Sequence, residues 1–488
     1  MNPGGADFSA GTSSAELTRL FAVQRAAFAR ERYPALATRR DRLARLLALV
    51  AANEQRFVDA VDRDFGHRSA HETRLAELFI VRVGIRHAQA RVARWMKPER
   101  MPTPLHLRPG SAKVVRQPLG VAGVISPWNY PVQLALAPAV GALAAGNRVL
   151  LKPSELTPAT SELLRELVAA RFGEDEFAVV IGDTQLGAAF TRLPFDHLFF
   201  TGSTAVGRHV ALAAAANLTP VTLELGGKSP ALFDEDADMG LAAPRLMSGK
   251  LLNAGQTCIA PDYALVPESR VESLVAAVTA AAARLYPSYV GNADYTAIVN
   301  ERHYRRLTDL VADARAKGAT VVTLNPANEK SDPMRRKLLP TLLLGVDDSM
   351  AAMQEEIFGP VLPIETYQAW DDAVRRIDSR PRPLSLYLFG GRAMRGRAAM
   401  CRAQVLGQTM AGGVTVNDTL MHFAHEELPF GGVGASGYGA YHGEAGFLTF
   451  SHRKPVFMQS RFATASLLHP PYGKRYDIVY AWLRKLSG

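Results

Sequence analysis

The sequence predicts an α/β fold in which a doubly wound parallel sheet is followed by a second α/β unit. The chain has 488 residues, more than one hydrophobic core supports, so two or three domains are expected. Short apolar segments alternate with helical patterns from residue 121 onward, an arrangement typical of parallel sheets. A second series of this kind runs from about residue 224 to residue 417 and indicates the second unit.

The first 120 residues predict a loose start, then helices, then a small hairpin. Residues 1–14 are rich in Gly and Ser and are expected to be loosely held. Residues 16–96 are helical in pattern, with apolar side chains recurring at i, i+3, i+4 and i+7 from Leu43. Residues 97–120 contain five prolines, and this composition predicts an exposed segment with a β-hairpin at the edge of a sheet.

The helices and strands of the two α/β units are predicted from runs of apolar residues and from residues that typically begin or end a helix. Thr157 as N-cap and Pro158 at the first helical position begin a helix that Gly173 is expected to end. The predicted strands are 121–125, 149–152, 177–181 and 197–201 in the first unit, and 263–266 and 384–389 in the second. Helices are predicted at 271–285 and, as a short amphipathic segment near the end of the chain, at 476–486.

Composition excludes several classes of protein. Apolar content is 48%, as in an ordinary globular chain, and two cysteines rule out a disulfide framework and favour a reducing, cytoplasmic location. The net charge of +10 comes from scattered basic residues, so no nucleic-acid-binding tract is predicted. The most apolar run, 132–151, contains Pro138 and Arg148, and the N-terminus lacks a signal pattern. Neither a membrane anchor nor a signal peptide is therefore expected.

Cys258 is the candidate nucleophile. It lies in a turn that Gly255 and Pro261 take out of any regular helix, and a thiol presented at a bend can face a cleft. The alternative is a small buried apolar residue, the usual state of a lone cysteine. Cys401 lies in the helical stretch 397–405 and is interpreted as structural.

Two further polar residues are candidates for chemistry. Glu224 lies at the end of a predicted strand, between apolar residues and close to two glycines. Apolar surroundings raise the pKa of a carboxylate, which can then act as a base near neutral pH. Asn129 offers an amide donor in an aromatic loop between prolines. The alternative for Glu224 is a structural carboxylate whose hydrogen bonds are all made within the fold. The alternative for Asn129 is an Asx turn, in which its side chain bonds only to nearby backbone.

A glycine-containing turn follows the predicted strand 197–201. Gly202 and Ser203 open a helical pattern, and such a strand-to-helix turn presents backbone N–H groups to a pyrophosphate. The G-x-G-x-x-G spacing is absent, so an ordinary βα turn capped by Ser203 is the alternative.

His422 and His425 have a spacing seen in metal ligands. No other His or Cys lies nearby in the sequence, so a loop beside a pocket is the preferred interpretation and no metal site is predicted.

Seven motifs in order carry a family resemblance. They are PWNYP (127–131), KPSE (152–155), FTGSTAVG (200–207), LELGGKSP (223–230), GQTC (255–258), EEIFGP (355–360) and LPFGG (428–432). The series resembles the NAD(P)-dependent aldehyde dehydrogenases. Segments 217–224, 412–418 and 446–452 are similar to the class 3 branch, and segments 249–263 and 410–420 to bacterial coniferyl-aldehyde dehydrogenases.

The resemblance implies three structural parts. A Rossmann-like cofactor domain would comprise 1–100 and 116–223 with a return at about 425–453, and a catalytic α/β domain 224–424. A small β bridging element, 101–115 and 454–488, would extend the sheet of a neighbour and form a homodimer.

The resemblance also assigns catalytic roles. Cys258 would attack an aldehyde to give a thiohemiacetal and then a thioester, while the Asn129 amide and the Cys258 backbone N–H hold the oxyanion. Glu224 would activate the water that hydrolyses the thioester. The implied substrates are aromatic aldehydes such as coniferyl aldehyde, and medium-chain aliphatic aldehydes. Tyr130, Met421 and Phe423 would line the aldehyde tunnel or only pack in the core.

The resemblance implies NAD as the cofactor and allows NADP as an alternative cofactor. Lys152 and Glu155 would bind the adenosine ribose, Ser203 the pyrophosphate, and Glu356 the nicotinamide ribose with Phe358 beside it. The remaining members of the implied cofactor site are Trp128, Ser154, Gly202, Val206, Gly207 and Leu225.

Two rival functions share these motifs. An acylating dehydrogenase would pass the thioester to coenzyme A, but such relatives generally lack a base at the position of Glu224. A non-catalytic binder on the same scaffold is the second rival, since a fold alone does not establish activity. Retention of Cys258, Glu224, Asn129 and Glu356 together argues against it.

Overall fold

The coordinates are a computed structural model of the chain, and they describe residues 11–391, 395–462 and 467–486. The predicted loose start and the predicted bridging element therefore lie partly outside the described residues. The helices are α1 Ser14–Arg30, α2 Leu36–Ala52, α3 Glu54–Phe65, α4 Ala70–Glu72, α5 Ile80–Trp95, α6 Gln133–Ala145, α7 Pro158–Ala169, α8 Thr184–Thr191, α9 Thr204–Ala215, α10 Met239–Leu251, α11 Val271–Leu285, α12 Glu301–Ala316, α13 Ala351–Gln354, α14 Trp370–Asp378, α15 Arg397–Gln408, α16 Met421–Ala424, α17 Gly443–Thr449 and α18 Lys474–Leu486. A π-helical turn, Thr73–Phe79, joins α4 to α5.

The strands form three sheets, as the predicted α/β class with a small β element requires. They are β1 Glu99–Met101, β2 Ser111–Pro118, β3 Val121–Ile125, β4 Arg148–Lys152, β5 Phe177–Val179, β6 His197–Thr201, β7 Val221–Glu224, β8 Pro230–Phe233, β9 Tyr263–Pro267, β10 Thr320–Thr323, β11 Thr341–Leu344, β12 Val361–Tyr367, β13 Ser385–Phe389, β14 Gly413–Val416, β15 Gly437–Tyr438 and β16 Ser451–Met458. The predicted fold class is confirmed.

The six-stranded sheet has the order β15-β7-β6-β3-β4-β5. Strands β3 to β7 run parallel, and only the short β15 is antiparallel. From β3 the chain moves to β4 and β5 on one side and then returns to β6 and β7 on the other. The sheet therefore has a switch point between β3 and β6, and the carboxyl ends of these strands border the crevice where ligands of such sheets bind.

The seven-stranded sheet has the order β10-β11-β12-β9-β8-β13-β14. All its neighbouring pairs are parallel except β10 with β11. Helices α10 and α11 pack together against it, and the turn with Cys258 lies between α10 and β9.

The three-stranded sheet β1-β2-β16 is antiparallel. Its main ladder pairs β2 with β16 from Ser111↔Met458 to Pro118↔Ser451. This ladder extends past residue 115 and begins before residue 454, the limits predicted for the bridging element. In the described part of the chain, no helix is both long and apolar enough to cross a membrane.

Two element ends differ from the prediction. The helix that begins at Pro158 ends at Ala169 rather than at Gly173, and the Thr157 hydroxyl bonds back to the Ser154 carbonyl instead of capping the helix. Strand β5 stops at Val179 because both backbone groups of Ile181 bond to Thr12, which ends the ladder with β4.

Candidate active site

The backbone before Cys258 is bent by three consecutive residues in the left-handed region. Asn253, Ala254 and Gly255 have φ values of 54°, 51° and 77°. A Cβ on Gly255 would lie 2.3 Å from the Gly359 carbonyl oxygen, so only glycine fits there. The bend ends α10 and leaves Cys258 in a turn, partly exposed. Backbone strain of this kind is often found where a side chain must be aimed.

Gln256 holds this turn in place. Its Nε2 donates to the carbonyls of Asn253 and Ala297, each at 3.0 Å, and its Oε1 accepts the Val299 N–H at 2.9 Å. Because the side chain is buried and all its groups are bonded, Gln256 is a structural brace for the nucleophile turn.

Asn129 lies directly against the same turn. Its Nδ2 donates to the Gln256 carbonyl at 3.1 Å, and its own carbonyl accepts from Asn253 Nδ2 at 3.0 Å. A primary amide has two N–H groups, so one remains able to donate to a substrate oxygen. The structure thus brings Asn129 and Cys258 together.

Glu224 is the last residue of β7 and is buried. Neither of its carboxylate oxygens has a hydrogen-bond partner among the described residues, which is rare for a buried carboxyl group. Burial raises its pKa well above the ordinary range. The Glu224 carboxylate also contributes to raising the pKa of Cys258.

The surroundings of the Cys258 thiol favour its neutral form over the thiolate. Burial, with smaller contributions from the carboxylates of Glu356 and Glu224, raises its pKa to about 12. The backbone N–H groups of Cys258 and Ile259 act in the opposite direction. Attack by the sulfur therefore requires a neighbouring proton acceptor.

The carboxyl ends of β3 and β6 fit a dinucleotide. Ser203 caps α9 and accepts the Val206 N–H at 3.4 Å, so Gly202 and Ser203 stand at a helix N-terminus beyond β6. The hydroxyls of Ser126 and Thr201 are buried there without a partner among the described residues. Free donors and a helix N-terminus at a switch point are what a pyrophosphate requires.

A charge pair follows β4 at the same sheet edge. Lys152 Nζ lies 3.0 Å from Glu155 Oε2, with the lysine side chain 4% exposed and the glutamate 33%. The Ser154 hydroxyl accepts the Leu156 N–H at 3.2 Å and shapes the turn that carries the pair.

Gly207 and Leu225 pack against each other near the start of α9. A Cβ on Gly207 would lie 2.6 Å from Leu225 Cδ2, so a larger residue would require the Leu225 side chain to move. The Leu225 N–H donates to the Ser436 carbonyl at 3.0 Å, which fixes the chain just after Glu224.

Glu356 and Phe358 reach the site from the loop before β12. A Cβ on Gly226 would lie 2.1 Å from Glu356 Oε2, so the carboxylate rests on the glycine backbone, and burial raises the pKa of Glu356 to about 8. The Phe358 ring meets the Trp128 ring edge-on at 5.4 Å between centroids. His303 lies on Trp128 as well, at 5.0 Å.

His422 has no free nitrogen for a metal. It is buried in the short helix α16, with Nε2 2.9 Å from Ser385 Oγ and Nδ1 2.7 Å from Thr415 Oγ1. The preferred sequence interpretation, a loop beside a pocket, is therefore wrong for His422, because its ring packs inward on Phe430. No group of three or more metal-binding side chains occurs among the described residues.

The remaining candidates differ in their surroundings. Cys401 is buried in α15. Tyr130 is buried with its hydroxyl 2.7 Å from Thr257 Oγ1, so it braces the nucleophile turn. The Phe423 ring packs on Phe430 and His442, while Met421 is 52% exposed.

The structure adds residues that sequence reasoning missed. Arg68, Glu72 and Glu77 are buried and bond to the two segments that carry Asn129 and Cys258. The available signal was the presence of charged side chains, these three among them, inside the stretch 16–96 that the sequence predicts to be helical.

Comparisons with known proteins agree with this geometry. Residues 6–456 match the family described as "Aldehyde dehydrogenase family". The chain is 52% identical to a "Probable coniferyl aldehyde dehydrogenase" from Pseudomonas aeruginosa, over 95% of this chain and 96% of that protein. It is 39% identical to human aldehyde dehydrogenase family 3 member B1, over 87% of this chain and 88% of that protein. The solved structure of Staphylococcus aureus AldH in a substrate-bound state matches with a TM-score of 0.89 and 38% identity, over 96% of this chain and 99% of that one. The resemblance inferred from the motifs is confirmed.

Proposed function

This chain belongs to the aldehyde dehydrogenase family and oxidises aldehydes with NAD(P), and within that activity we propose that it acts on aromatic aldehydes such as coniferyl aldehyde, and on medium-chain aliphatic aldehydes. The observation that supports the proposed mechanism is the hydrogen bond from Asn129 to the turn that carries Cys258, together with a buried Glu224 carboxylate that has no hydrogen-bond partner among the described residues and contributes to raising the pKa of Cys258. The aromatic substrate is supported by the relative from Pseudomonas aeruginosa and by the Trp128 ring beside this pocket.

The first step is attack by sulfur on the aldehyde carbon. Cys258 forms the C–S bond as its proton passes to solvent water. The carbonyl oxygen becomes an oxyanion that accepts from the Asn129 amide and the Cys258 backbone N–H, and one such donor typically contributes about a hundredfold or more. A bound nicotinamide dinucleotide supplies the hydride acceptor. The product on the enzyme is a thioester at Cys258.

The second step is hydrolysis of the thioester. Glu224 takes a proton from water, and the water oxygen attacks the acyl carbon. The C–S bond then breaks, and the departing sulfur takes the proton from Glu224, which restores both the thiol and the carboxylate. A carboxylate whose oxygens have no partner among the described residues is available for this water. Its presence favours hydrolysis over transfer of the acyl group to coenzyme A.

The residues at the sheet edge would hold the cofactor. Lys152 and Glu155 would bind the adenosine ribose, Ser203 and the start of α9 the pyrophosphate, and Glu356 the nicotinamide ribose. The remaining assignments, Trp128, Ser154, Gly202, Val206, Gly207, Leu225 and Phe358, stay part of this proposal. NAD is expected to be preferred modestly over NADP, since Glu155 repels a 2′-phosphate while Lys152 attracts it.

Glu155→Gln is expected to shift cofactor preference toward NADP. The change removes the carboxylate that lies 3.0 Å from Lys152 Nζ, so the ammonium is left to interact with a 2′-phosphate. The measurement is kcat/KM for NAD and NADP in both enzymes. Glu166→Gln is the matched control, because Glu166 pairs with Arg56 on the exposed side of α7. An unchanged ratio in Glu155→Gln would remove Glu155 from the adenosine site.

A substrate panel tests the proposed specificity. Coniferaldehyde, benzaldehydes and medium-chain alkanals are expected to give higher kcat/KM values than short polar aldehydes, since the loop beside the pocket is aromatic. Initial rates with each aldehyde at saturating NAD provide the comparison. A marked preference for short polar aldehydes would contradict the proposal.

Association and location are also proposed. Among the described residues no further strand pairs with the outer edges of the antiparallel sheet β1-β2-β16, and we propose that this sheet extends the sheet of a second copy to form a homodimer. A cytoplasmic location is proposed because the chemistry needs a reduced thiol and both cysteines are free.

A further inference from the structure

Three buried charged side chains lie behind the catalytic pocket. The side chains of Arg68 and Glu77 are 0% exposed, and that of Glu72 is 9% exposed. Burial of charges costs free energy that ion pairing only partly recovers, so such a cluster is poor evidence for stability alone. What each charge contacts therefore decides what the cluster does.

The π-helical turn brings the two carboxylates to one arginine. Glu72 and Glu77 are five residues apart, a spacing that would point them about 140° apart on a regular α-helix. The wider turn over Thr73–Phe79 turns both toward Arg68. Arg68 Nε lies 3.9 Å from Glu72 Oε2, and Nη2 lies 3.8 Å from Glu77 Oε1.

Each member of the cluster bonds to a different part of the catalytic backbone. Arg68 Nη1 donates to the Asn129 carbonyl at 2.9 Å. Glu72 accepts the Asn253 N–H at 3.1 Å, in the left-handed bend before Cys258. Glu77 accepts the N–H of Val132 at 2.7 Å, just after the loop that carries Asn129. The cluster thus joins the oxyanion loop to the nucleophile turn.

The Arg68 guanidinium is held rigidly. Its Cζ lies 4.9 Å from the ring centroids of both Phe65 and Tyr130. Nε and Nη2 have no hydrogen-bond partner among the described residues, so the only hydrogen bond of this side chain goes to Asn129. A planar group fixed between two rings defines the position of the carbonyl that it binds.

We propose that Arg68, oriented by Glu72 and Glu77, is a positioning residue that aims the Asn129 amide at the oxyanion. The inference rests on the proposed function, since it requires Asn129 to be an oxyanion donor. Misdirecting that donor weakens the transition state more than the bound aldehyde, so kcat should fall while the KM for aldehyde changes little.

A double-mutant cycle tests this inference. The variants are Arg68→Met, Asn129→Ala and the double substitution, and the measurement is the single-turnover rate of NADH formation with saturating aldehyde and NAD. Arg68→Met is expected to slow this step by about tenfold or more, and Asn129→Ala by about a hundredfold or more. If Arg68 acts through Asn129, the double variant is no slower than Asn129→Ala. The cycle is repeated with Arg68→Lys, which keeps the buried charge and should recover part of the rate.

Arg39→Met is the matched control. Arg39 is also fully buried and bonds to the Ala145 carbonyl at 2.6 Å, at the end of α6 that lies roughly 18 Å along the helix from Gln133. Its loss should lower the melting temperature and leave the single-turnover rate unchanged.

Two outcomes would overturn the inference in different ways. In the first outcome, the rate of the double variant falls by the product of the two single-variant losses, both in the cycle with Arg68→Met and in the cycle with Arg68→Lys. This result would show that Arg68 does not act through Asn129. A wild-type single-turnover rate in Asn129→Ala would instead refute the oxyanion role on which the inference rests.

Discussion

Cys258→Ala is expected to abolish aldehyde oxidation and to leave the fold and NAD binding intact. The substitution removes the only atom that forms a bond to the aldehyde, while the turn around it remains held by Gln256 and Asn253. The measurements are NADH formation with aldehyde, quenching of protein fluorescence by NADH, and thermal melting. Activity should fall below detection with binding and melting temperature unchanged.

Cys401→Ala is the control for this result. Cys401 is buried in α15, outside the turn that carries Cys258. Its replacement should be nearly silent in activity. A comparable loss of activity in both variants would mean that the essential sulfur has been assigned wrongly or that the loss is structural.

Glu224→Gln is expected to stop turnover at the hydrolysis step. Glutamine is nearly the same size as glutamate but cannot take a proton from water, and a general base commonly contributes about a hundred- to ten-thousandfold. Mixing the variant with NAD and aldehyde should give a burst of about one NADH per active site and then a stall. A smaller burst would extend the role of Glu224 to deprotonation of Cys258.

The pH dependence of thioester hydrolysis provides a second test of Glu224 as the general base. Burial raises the pKa of Glu224, and the neutral carboxyl below that pKa cannot accept a proton. The rate of thioester hydrolysis in the wild-type enzyme should therefore rise with pH, and this rise should disappear in Glu224→Gln. Wild-type steady-state hydrolysis in the variant would exclude Glu224 as the base.

Sequence patterns predicted the local parts of this molecule well. Strands β3 and β6 were bounded correctly because each is a short apolar run between turn residues. The nucleophile turn was predicted because Gly255 and Pro261 interrupt a helix, and the structure accounts for it through the close approach of Gly359. These features depend on neighbours within a few residues.

Features set by distant residues were not predictable in this way. β5 ends early because Thr12 competes for the backbone of Ile181, and nothing near Ile181 in the sequence signals this. Arg68 meets Asn129 across 61 positions of the chain. The π-helical turn that orients the two glutamates breaks the 3.6-residue periodicity on which helix prediction relies.

Trapping of the acyl-enzyme tests the central claim most directly. Glu224→Gln is mixed with NAD and coniferaldehyde, quenched with acid after the burst, digested and examined by peptide mass spectrometry. The account predicts that the acyl group is found on the peptide that contains Cys258, in about the amount of NADH released. An unmodified Cys258 peptide after a full burst, or an acyl group on Cys401, would contradict it.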